Sequence, residues 1–188
     1  MARIKMISEQ EADGPLKTIY DRIQLSRGGV ANILAVHSLS PPALKAHLHL
    51  YQTLIFDPSP LSRRERELIA VAVSTSNQCE YCITHHKEHL RRLGVSGEEI
   101  ASACDDFHHL SAREQAILSF AKQLTLSPDK TEKEMAALRS VGLPDREILD
   151  LTLVTAYFNF VNRIALGLGV ELEDDYKTTC EPDSLPIT

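Results

Sequence analysis

The sequence contains no tryptophan, and its other aromatic residues are five phenylalanines and five tyrosines among 188 residues. Hydrophobic residues still make up 43% of the chain, which is close to their share in ordinary globular domains. The interior is therefore expected to consist mainly of leucine, isoleucine, valine and alanine. A chain of this length suits one domain, because domains usually contain about 100–200 residues.

A surplus of basic residues is also missing. The chain has 20 lysines and arginines against 26 aspartates and glutamates, which gives a formal net charge of −6. Nucleic-acid-binding domains usually carry a clustered basic face, so no nucleic-acid partner is expected. Residues 1–14 lack the apolar region and cleavage site of a signal peptide, and no run of about 18 apolar residues follows. We therefore expect no membrane partner and a cytoplasmic location.

Cysteine is scarce, with four residues at positions 79, 82, 104 and 180. Because thiols in the cytosol are mostly kept reduced, these cysteines are not expected to form a structural disulfide framework. A closely spaced pair in such a chain is more often catalytic or metal-binding. Cys79 and Cys82 form the only Cys-x-x-Cys pair in the sequence. They are the first candidates for chemistry, whereas Cys104 is expected to be a half-buried helical residue and Cys180 an incidental thiol.

Helix signals recur along the chain, and no stretch shows the alternation typical of a strand. Four capping-box patterns predict helix starts, at Ser62/Glu65, Ser96/Glu99, Ser111/Glu114 and Thr131/Glu134. The last helix is expected from about Asp145 to Leu166, and it is apolar nearly all round, as in a central helix. We predict a single all-α domain of about seven helices over residues 1–170, followed by an acidic tail or arm over residues 171–188. The apolar last helix also predicts a homo-oligomer.

Two cysteines and three histidines lie within residues 79–89. On a helix, at about 100° per residue, Cys79, Cys82 and His86 share one face within two turns. Cys79 falls at the start of that helix, where backbone N–H groups favour a thiolate. One thiolate could attack an oxidised substrate and the other could close a disulfide, while His86 transfers the proton. His85 and His89 lie on a different stripe and are expected at the surface or at subunit contacts.

Other interpretations of this cluster remain open on the residues alone. Zinc could be bound by Cys79, Cys82, His86 and a fourth ligand, His108 or His109, although structural zinc sites usually use two separated pairs. A thioredoxin-like site would need a βαβ setting, which the pattern does not offer. The two cysteines could also be buried simply as small apolar residues.

The stretch "ERELIAVAVSTSNQCEYCITHHKEHLRRLG" resembles the alkylhydroperoxidase D-like (AhpD-like) group of the carboxymuconolactone decarboxylase superfamily. The shared pattern is a glutamate twelve residues before a Cys-x-x-Cys pair and a histidine four residues after it, and Glu67, Cys79, Cys82 and His86 match it. The blocks "ANILAVHSLSPPALKAHLHLY" and "FNFVNRIALGLGVE" resemble the peroxidase-related subgroup. The resemblance thus covers roughly residues 30–172. The decarboxylase branch typically lacks the cysteine pair, so this chain is more similar to the redox branch.

The resemblance implies an AhpD-like helical bundle that assembles into dimers, trimers or hexamers. It implies an antioxidant oxidoreductase, an alkylhydroperoxidase of peroxiredoxin-type activity, with no metal and no bound organic cofactor. Cys82 would be the peroxidatic thiol, Cys79 the resolving thiol of a redox-active disulfide, and His86 with Glu67 a proton relay. The implied partners are a hydroperoxide substrate and a dithiol reductant such as a lipoyl-bearing protein. On the residues alone the thiol roles stay open, because the helix start favours Cys79 as the thiolate and His86 favours Cys82.

Two features qualify these expectations. Well-known members of the group carry a histidine just before the second cysteine, where this chain has Tyr81, and a phenol with a pKa of about 10 cannot replace imidazole as a base at pH 7. The same fold could also serve a non-catalytic thiol stress sensor or binding protein, or a lactone decarboxylase-like acid–base enzyme. Asn159, Asn162 and Arg163 share one side of the last helix, where a polar seam against a neighbouring helix is favoured over a wall of the active pocket.

Overall fold

The computed structural model describes residues 2–178, and the regular structure within that range is entirely helical. The all-α prediction is therefore confirmed. The helices are α1 (Gly14–Arg27), α2 (Asn32–Ala35), α3 (Pro41–Tyr51), α4 (Arg63–Ser76), α5 (Glu80–Arg92), α6 (Gly97–Ala103), α7 (Ala112–Leu126), α8 (Glu132–Ser140) and α9 (Asp145–Leu168), with a π-helical segment at Gln52–Phe56. The described range thus holds nine α-helices rather than about seven. The four-residue helix α2 is too short to show a helical repeat in the sequence.

The chain divides into two compact units, each with its own packing. The central unit is Leu54–Asn162 and contains α4 to α8 with most of α9. The outer unit consists of residues up to Thr53 and those from Arg163 onwards.

In the outer unit, α1 packs against α3 around a small apolar core. The core side chains are Ala12, Leu16, Tyr20, Ile23, Leu34, Leu44 and Leu48. Arg3 covers the end of α9, with its backbone N–H 2.7 Å from the Leu168 carbonyl oxygen and its guanidinium 3.1 Å from that of Gly167. A cation there satisfies carbonyls that the helix leaves open and complements the helix dipole.

The predicted acidic tail is described only as far as Thr178, and Cys180 lies outside the described residues. Its first part is bonded to the start of α2. The side-chain amide of Asn32 donates to the Glu171 carbonyl oxygen at 3.0 Å, and the Asn32 backbone N–H donates to the Glu173 carboxylate. Residues 171–173 are therefore held against the outer unit.

In the central unit, three of the four predicted capping boxes are present. Ser62, Ser96 and Ser111 each accept a bond from the backbone of the glutamate three residues on, and each glutamate bonds back to its serine. At the fourth position a helix does begin, directly after Thr131, but the predicted capping box is absent. Thr131 has φ −112° and ψ 8°, rather than the extended backbone that a capping side chain needs, and it makes no capping bond.

The loop before α4 is fixed by Arg66, a buried cation of that helix. Its guanidinium donates to the carbonyl oxygens of Leu54 at 3.2 Å, Asp57 at 3.0 Å and Leu61 at 3.1 Å. One guanidinium therefore satisfies three backbone acceptors and sets where α4 begins.

Helix α9 is long and apolar enough, by length and composition alone, to span a membrane. However, 44% of its most apolar 18-residue window is buried inside the protein, as in the core helix of a bundle. Leu151, Val154 and Phe158 form its buried side. Leu149, Leu153 and Ala156 form an exposed apolar stripe at helical spacing on the other side.

We predict that this stripe is buried between copies of the chain, because contiguous exposed apolar surface usually marks an interface. Light scattering of the wild type should give at least twice the 20.9 kDa chain mass at micromolar concentration. Leu153→Glu should lower that mass, because it places a charge on the stripe. Leu126→Glu is the matched control, since Leu126 is 57% exposed at the end of α7, and it should leave the mass unchanged. A monomeric wild type, or equal masses for the wild type and Leu153→Glu, would contradict the prediction.

Candidate active site

The two cysteines lie at a tight turn between α4 and α5. Only Asn77, Gln78 and Cys79 separate the last residue of α4 from the first residue of α5. Gln78 has φ +57°, a left-handed conformation that costs a non-glycine residue about 1–3 kcal/mol. The Cys79 N–H donates to the Ser74 carbonyl oxygen at 2.9 Å and ties the turn to α4. This turn reverses the chain, so that α5 packs along α4. Cys79 occupies the N-cap position of α5, without a side-chain capping bond.

Cys79 and Cys82 are both buried, reduced and hydrogen-bonded to each other. The bond from the Cys82 thiol lowers the pKa of Cys79 to about 7, assisted by the Cys82 backbone N–H and opposed by burial. The same bond, together with burial and the charge of Cys79, raises the pKa of Cys82, and a bond from Asn162 opposes that rise. When the pair loses one proton, the negative charge is therefore favoured on Cys79 and the remaining proton on Cys82.

Glu67, on α4, is fully buried, and both of its carboxylate oxygens are bonded. Oε1 accepts from Arg63 at 2.7 Å and Oε2 accepts from Nδ1 of His86 at 2.7 Å. Burial alone would raise the pKa of this carboxyl. The charges of His89 and His86, the bond from His86 and the charge of Arg63 outweigh burial and lower the pKa. Glu67 is thus held as an anion in the interior.

His86 is oriented by this carboxylate. Because Glu67 is ionised, the proton of the neutral ring must lie on Nδ1, and Nε2 keeps the lone pair. The Phe158 ring meets the imidazole edge-on at 4.7 Å between centroids, and the His89 ring lies 5.7 Å away. The neutral form of His86 therefore has a fixed tautomer with a basic Nε2, and the Glu67 carboxylate stabilises the charged form. His86 lies one helical turn beyond Cys82 on α5.

Asparagine side chains line the other side of the cysteine turn. The Asn77 amide donates to Oδ1 of Asn159 and to Oδ1 of Asn162, both at 3.0 Å. The Asn162 amide donates to the Ser74 hydroxyl at 3.1 Å and bonds to the Cys82 sulfur. For Asn159 and Asn162 the polar seam favoured from the sequence is present, whereas Arg163 is exposed. The alternative, a wall of the cysteine site, holds as well for Asn162.

The structure brings the four predicted residues together as two directly bonded pairs, Cys79 with Cys82 and Glu67 with His86, joined through α5. Within residues 2–178, no group of three histidine, cysteine or acidic side chains is arranged to hold a metal ion. His108, one of the fourth ligands considered for zinc, is paired with Asp106 on an exposed loop.

Some residues of the site were missed or misplaced by the sequence analysis. His85 and His89 are buried, so the expected surface position was wrong. His85 packs against Tyr81 at 4.6 Å, and His89 acts on Glu67 through its charge. Arg63 precedes Glu67 by four residues, a spacing that signals a helical ion pair. Asn77 could not be recognised from the sequence pattern, because its hydrogen-bond partners lie more than 80 residues away. Cys104 is half-buried as expected, although it lies just beyond the end of α6.

Comparison with known proteins agrees with the helical fold. Residues 41–123 match the profile of the carboxymuconolactone decarboxylase family. The uncharacterized protein YdfG of Bacillus subtilis (strain 168) is 32% identical over 114 residues, which cover 59% of this chain and 78% of the relative. An uncharacterized peroxidase-related protein from Silicibacter sp. TM1040 is 30% identical in sequence and superimposes with a TM-score of 0.80, covering 94% of this chain and 96% of that one.

The chain belongs to the carboxymuconolactone decarboxylase superfamily. Its AhpD-like fold is shared with an uncharacterized peroxidase-related protein from Ralstonia eutropha JMP134, at a TM-score of 0.84, 24% identity and coverage of 97% and 98% of the two chains. The debrominase Bmp8 also has this fold, at a TM-score of 0.75, 19% identity and coverage of 94% and 95%. The same fold thus occurs in a debrominase and in uncharacterized peroxidase-related proteins, so the reaction must be inferred from the site.

The first prediction from this site is an intramolecular disulfide. Because Cys79 and Cys82 are already bonded through one proton, one equivalent of peroxide should convert them to a Cys79–Cys82 disulfide. Peptide mapping by mass spectrometry before and after oxidation would detect it. Cys104→Ser should leave the product unchanged. A disulfide from Cys82 to Cys104 instead would argue against a dithiol mechanism.

The second prediction concerns the charge on the pair. Labelling of the reduced protein with iodoacetamide should show Cys79 reacting with a midpoint near pH 7, since its pKa is about 7. In Cys82→Ala the midpoint should move up toward the ordinary value of 9.0, because the donating thiol is lost. Cys104→Ala serves as the control and should not shift it. If Cys82 is the residue labelled at the lower pH, the charge distribution described above is wrong.

Proposed function

We propose that this protein is a cytosolic thiol-dependent peroxidase that reduces hydroperoxides through a Cys79–Cys82 dithiol and a His86–Glu67 proton relay. The observation that carries the proposal is the buried 2.7 Å bond between His86 and Glu67, one helical turn from a bonded pair of reduced thiols. A dithiol supplies the two electrons that an O–O bond accepts. An oriented imidazole supplies and removes the protons.

In the first step, the Cys82 proton moves along the existing bond to Cys79, and the Cys82 thiolate attacks the terminal oxygen of the hydroperoxide. An S–O bond forms and the O–O bond breaks. The departing alkoxide takes a proton from charged His86, which the Glu67 carboxylate stabilises. The products are an alcohol, a sulfenic acid on Cys82 and neutral His86.

In the second step, neutral His86 takes the proton from Cys79, and the Cys79 thiolate attacks the Cys82 sulfur. The S–S bond forms, the S–O bond breaks, and the hydroxide leaves as water with the proton from His86. An external dithiol then restores the pair by thiol–disulfide exchange and is itself oxidised. A lipoyl-bearing protein is a reductant of the required class.

Cys82 is the attacking thiol in this proposal because His86 lies one helical turn from it. Before the reaction, however, negative charge is favoured on Cys79. Transfer of one shared proton reconciles the two observations. The thiolate fraction alone does not decide which sulfur attacks, because nucleophilicity falls as thiol pKa falls. Because both sulfurs are buried, attack is also favoured at Cys82, which lies beside His86, the proton donor for the leaving oxygen.

The test is the rate of Cys82 oxidation by stopped-flow peroxide titration with mass spectrometry. His86→Ala and Glu67→Gln should each slow the reaction at least about tenfold, because loss of a general acid–base typically costs about 10²–10⁴-fold. The double variant should be little slower than the slower single variant, since residues acting as a unit are not additive.

Glu65→Gln is the matched control, because Glu65 is a buried acid on the same helix that caps α4 and pairs with Arg113. It should lower stability without slowing peroxide reduction. Unchanged thiols after peroxide treatment would favour the acid–base alternative, and thiol oxidation without turnover by a dithiol reductant would favour a stress sensor. A wild-type rate in Glu67→Gln would make Glu67 a structural acid only.

A further inference from the structure

Cys82 must carry negative charge in the proposed cycle, as the thiolate that attacks the hydroperoxide. Its side chain is almost fully buried. A buried anion without donors on it is strongly disfavoured, because burial removes the water that would stabilise the charge. The site therefore needs a donor aimed at this sulfur other than the Cys79 thiol.

The Asn162 side chain meets that requirement. It is fully buried, and its amide nitrogen bonds both to the Ser74 hydroxyl and to the Cys82 sulfur. Its carbonyl oxygen accepts from the Asn77 amide at 3.0 Å. If the Asn162 amide were turned over, its NH₂ would face the NH₂ of Asn77 and its oxygen would face the sulfur.

The direction of this amide is set by a chain of bonds that begins on the backbone of α7. The Thr125 hydroxyl donates to the Ala121 carbonyl oxygen at 2.8 Å, so its oxygen is left to accept. Asn159 donates to that oxygen at 2.9 Å, which turns its own carbonyl toward Asn77. The Asn77 amide then donates both of its hydrogens to the side-chain carbonyl oxygens of Asn159 and Asn162. In this arrangement the Asn162 amide nitrogen, facing away from Asn77, donates to Ser74 and to Cys82.

We propose that Asn162 is a catalytic residue of the dithiol site, whose side-chain N–H stabilises negative charge on the Cys82 sulfur, and that Asn77 is the positioning residue that aims it. The proposal rests on the proposed dithiol chemistry and adds to it a residue that acts on the sulfur rather than on the proton. Its role is that of an oxyanion-hole donor, with a thiolate in place of the oxyanion. The bond from Asn162 is also the one influence that lowers the pKa of Cys82, against three that raise it.

The test measures the charge on Cys82 directly. In a Cys79→Ser background, the pH midpoint of iodoacetamide labelling of Cys82 is read by peptide mass spectrometry, with and without Asn162→Leu. Leucine has a similar volume but cannot donate a hydrogen bond. The labelling midpoint of Cys82 should therefore rise by at least about one pH unit, as expected when a bond to a charged group is lost. At a pH below the midpoint, this shift corresponds to about a tenfold loss of thiolate. Asn77→Ala should raise the midpoint less, because the Asn162 amide stays but is no longer aimed.

Thr155→Val is the matched control, since Thr155 is buried on the same helix and its hydroxyl donates only to the Leu151 carbonyl oxygen in its own helix at 2.8 Å. It should leave the midpoint unchanged. Asn162→Asp provides a second variant in case leucine prevents folding. Its carboxylate can still accept from Asn77 and Ser74, and its charge should raise the midpoint further than leucine does.

An unchanged Cys82 midpoint in folded Asn162→Leu or Asn162→Asp would overturn the assignment. Labelling needs no peroxide, so this result is separate from the fate of the proposed function. A wild type that fails to reduce peroxide would defeat the peroxidase proposal, whereas a shifted midpoint in the same protein would still establish Asn162 as the donor to Cys82.

Discussion

The buried carboxylate of Glu67 is the constraint on which the rest of the site depends. A carboxylate with no exposed surface is tolerated only when opposite charge and hydrogen bonds replace its water. Here Arg63 from the same helix and His86 from the next one each bond one oxygen. Since one partner lies on α4 and the other on α5, Glu67 fixes the register in which the two helices pack. The cysteine turn between these helices is held by the same register.

This arrangement also makes stability depend on pH in one direction. The pKa of Glu67 in the folded protein lies below its ordinary value of 4.5, because the cations around it outweigh burial. The carboxylate therefore stabilises the fold at pH above that ordinary value, and the contribution is lost as the pH falls through the lowered folded-state pKa. Acid would then break the pairing of α4 with α5 and disturb the thiol site together with the fold.

The sequence predicted those parts of the molecule that depend on neighbours along the chain. Three capping boxes could be predicted because the serine and glutamate of each are three residues apart, whereas at Thr131 the backbone adopted a conformation that the pattern cannot specify. His86 was found because it shares a helix face with the two cysteines, and Glu67 because the family resemblance supplies its offset of twelve residues from Cys79. The asparagine network could not be found in this way, because the bond from Asn77 to Asn162 joins residues 85 positions apart and exists only after α9 has packed beside the turn. His89 was misplaced for a related reason, since the charge that it faces lies on another helix.

The fold alone does not select the reaction, because an oriented histidine and carboxylate serve an acid–base enzyme as well as a peroxidase. A peroxidase differs from an acid–base enzyme in that it must stabilise negative charge on a sulfur. A pair of buried cysteines with only structural roles would need no donor, and both thiols would stay protonated as their burial demands. In this protein the Cys82 thiol lowers the pKa of Cys79 to about 7. The Cys82 sulfur in turn accepts from the Asn162 amide, whose direction is set through three further side chains. Because Tyr81 stands where well-known members of the group carry a histidine, the proposed proton transfer rests on His86 and Glu67. The stabilisation of the thiolate then depends more heavily on the donors that meet the two sulfurs, and these are the features that favour redox chemistry at this site.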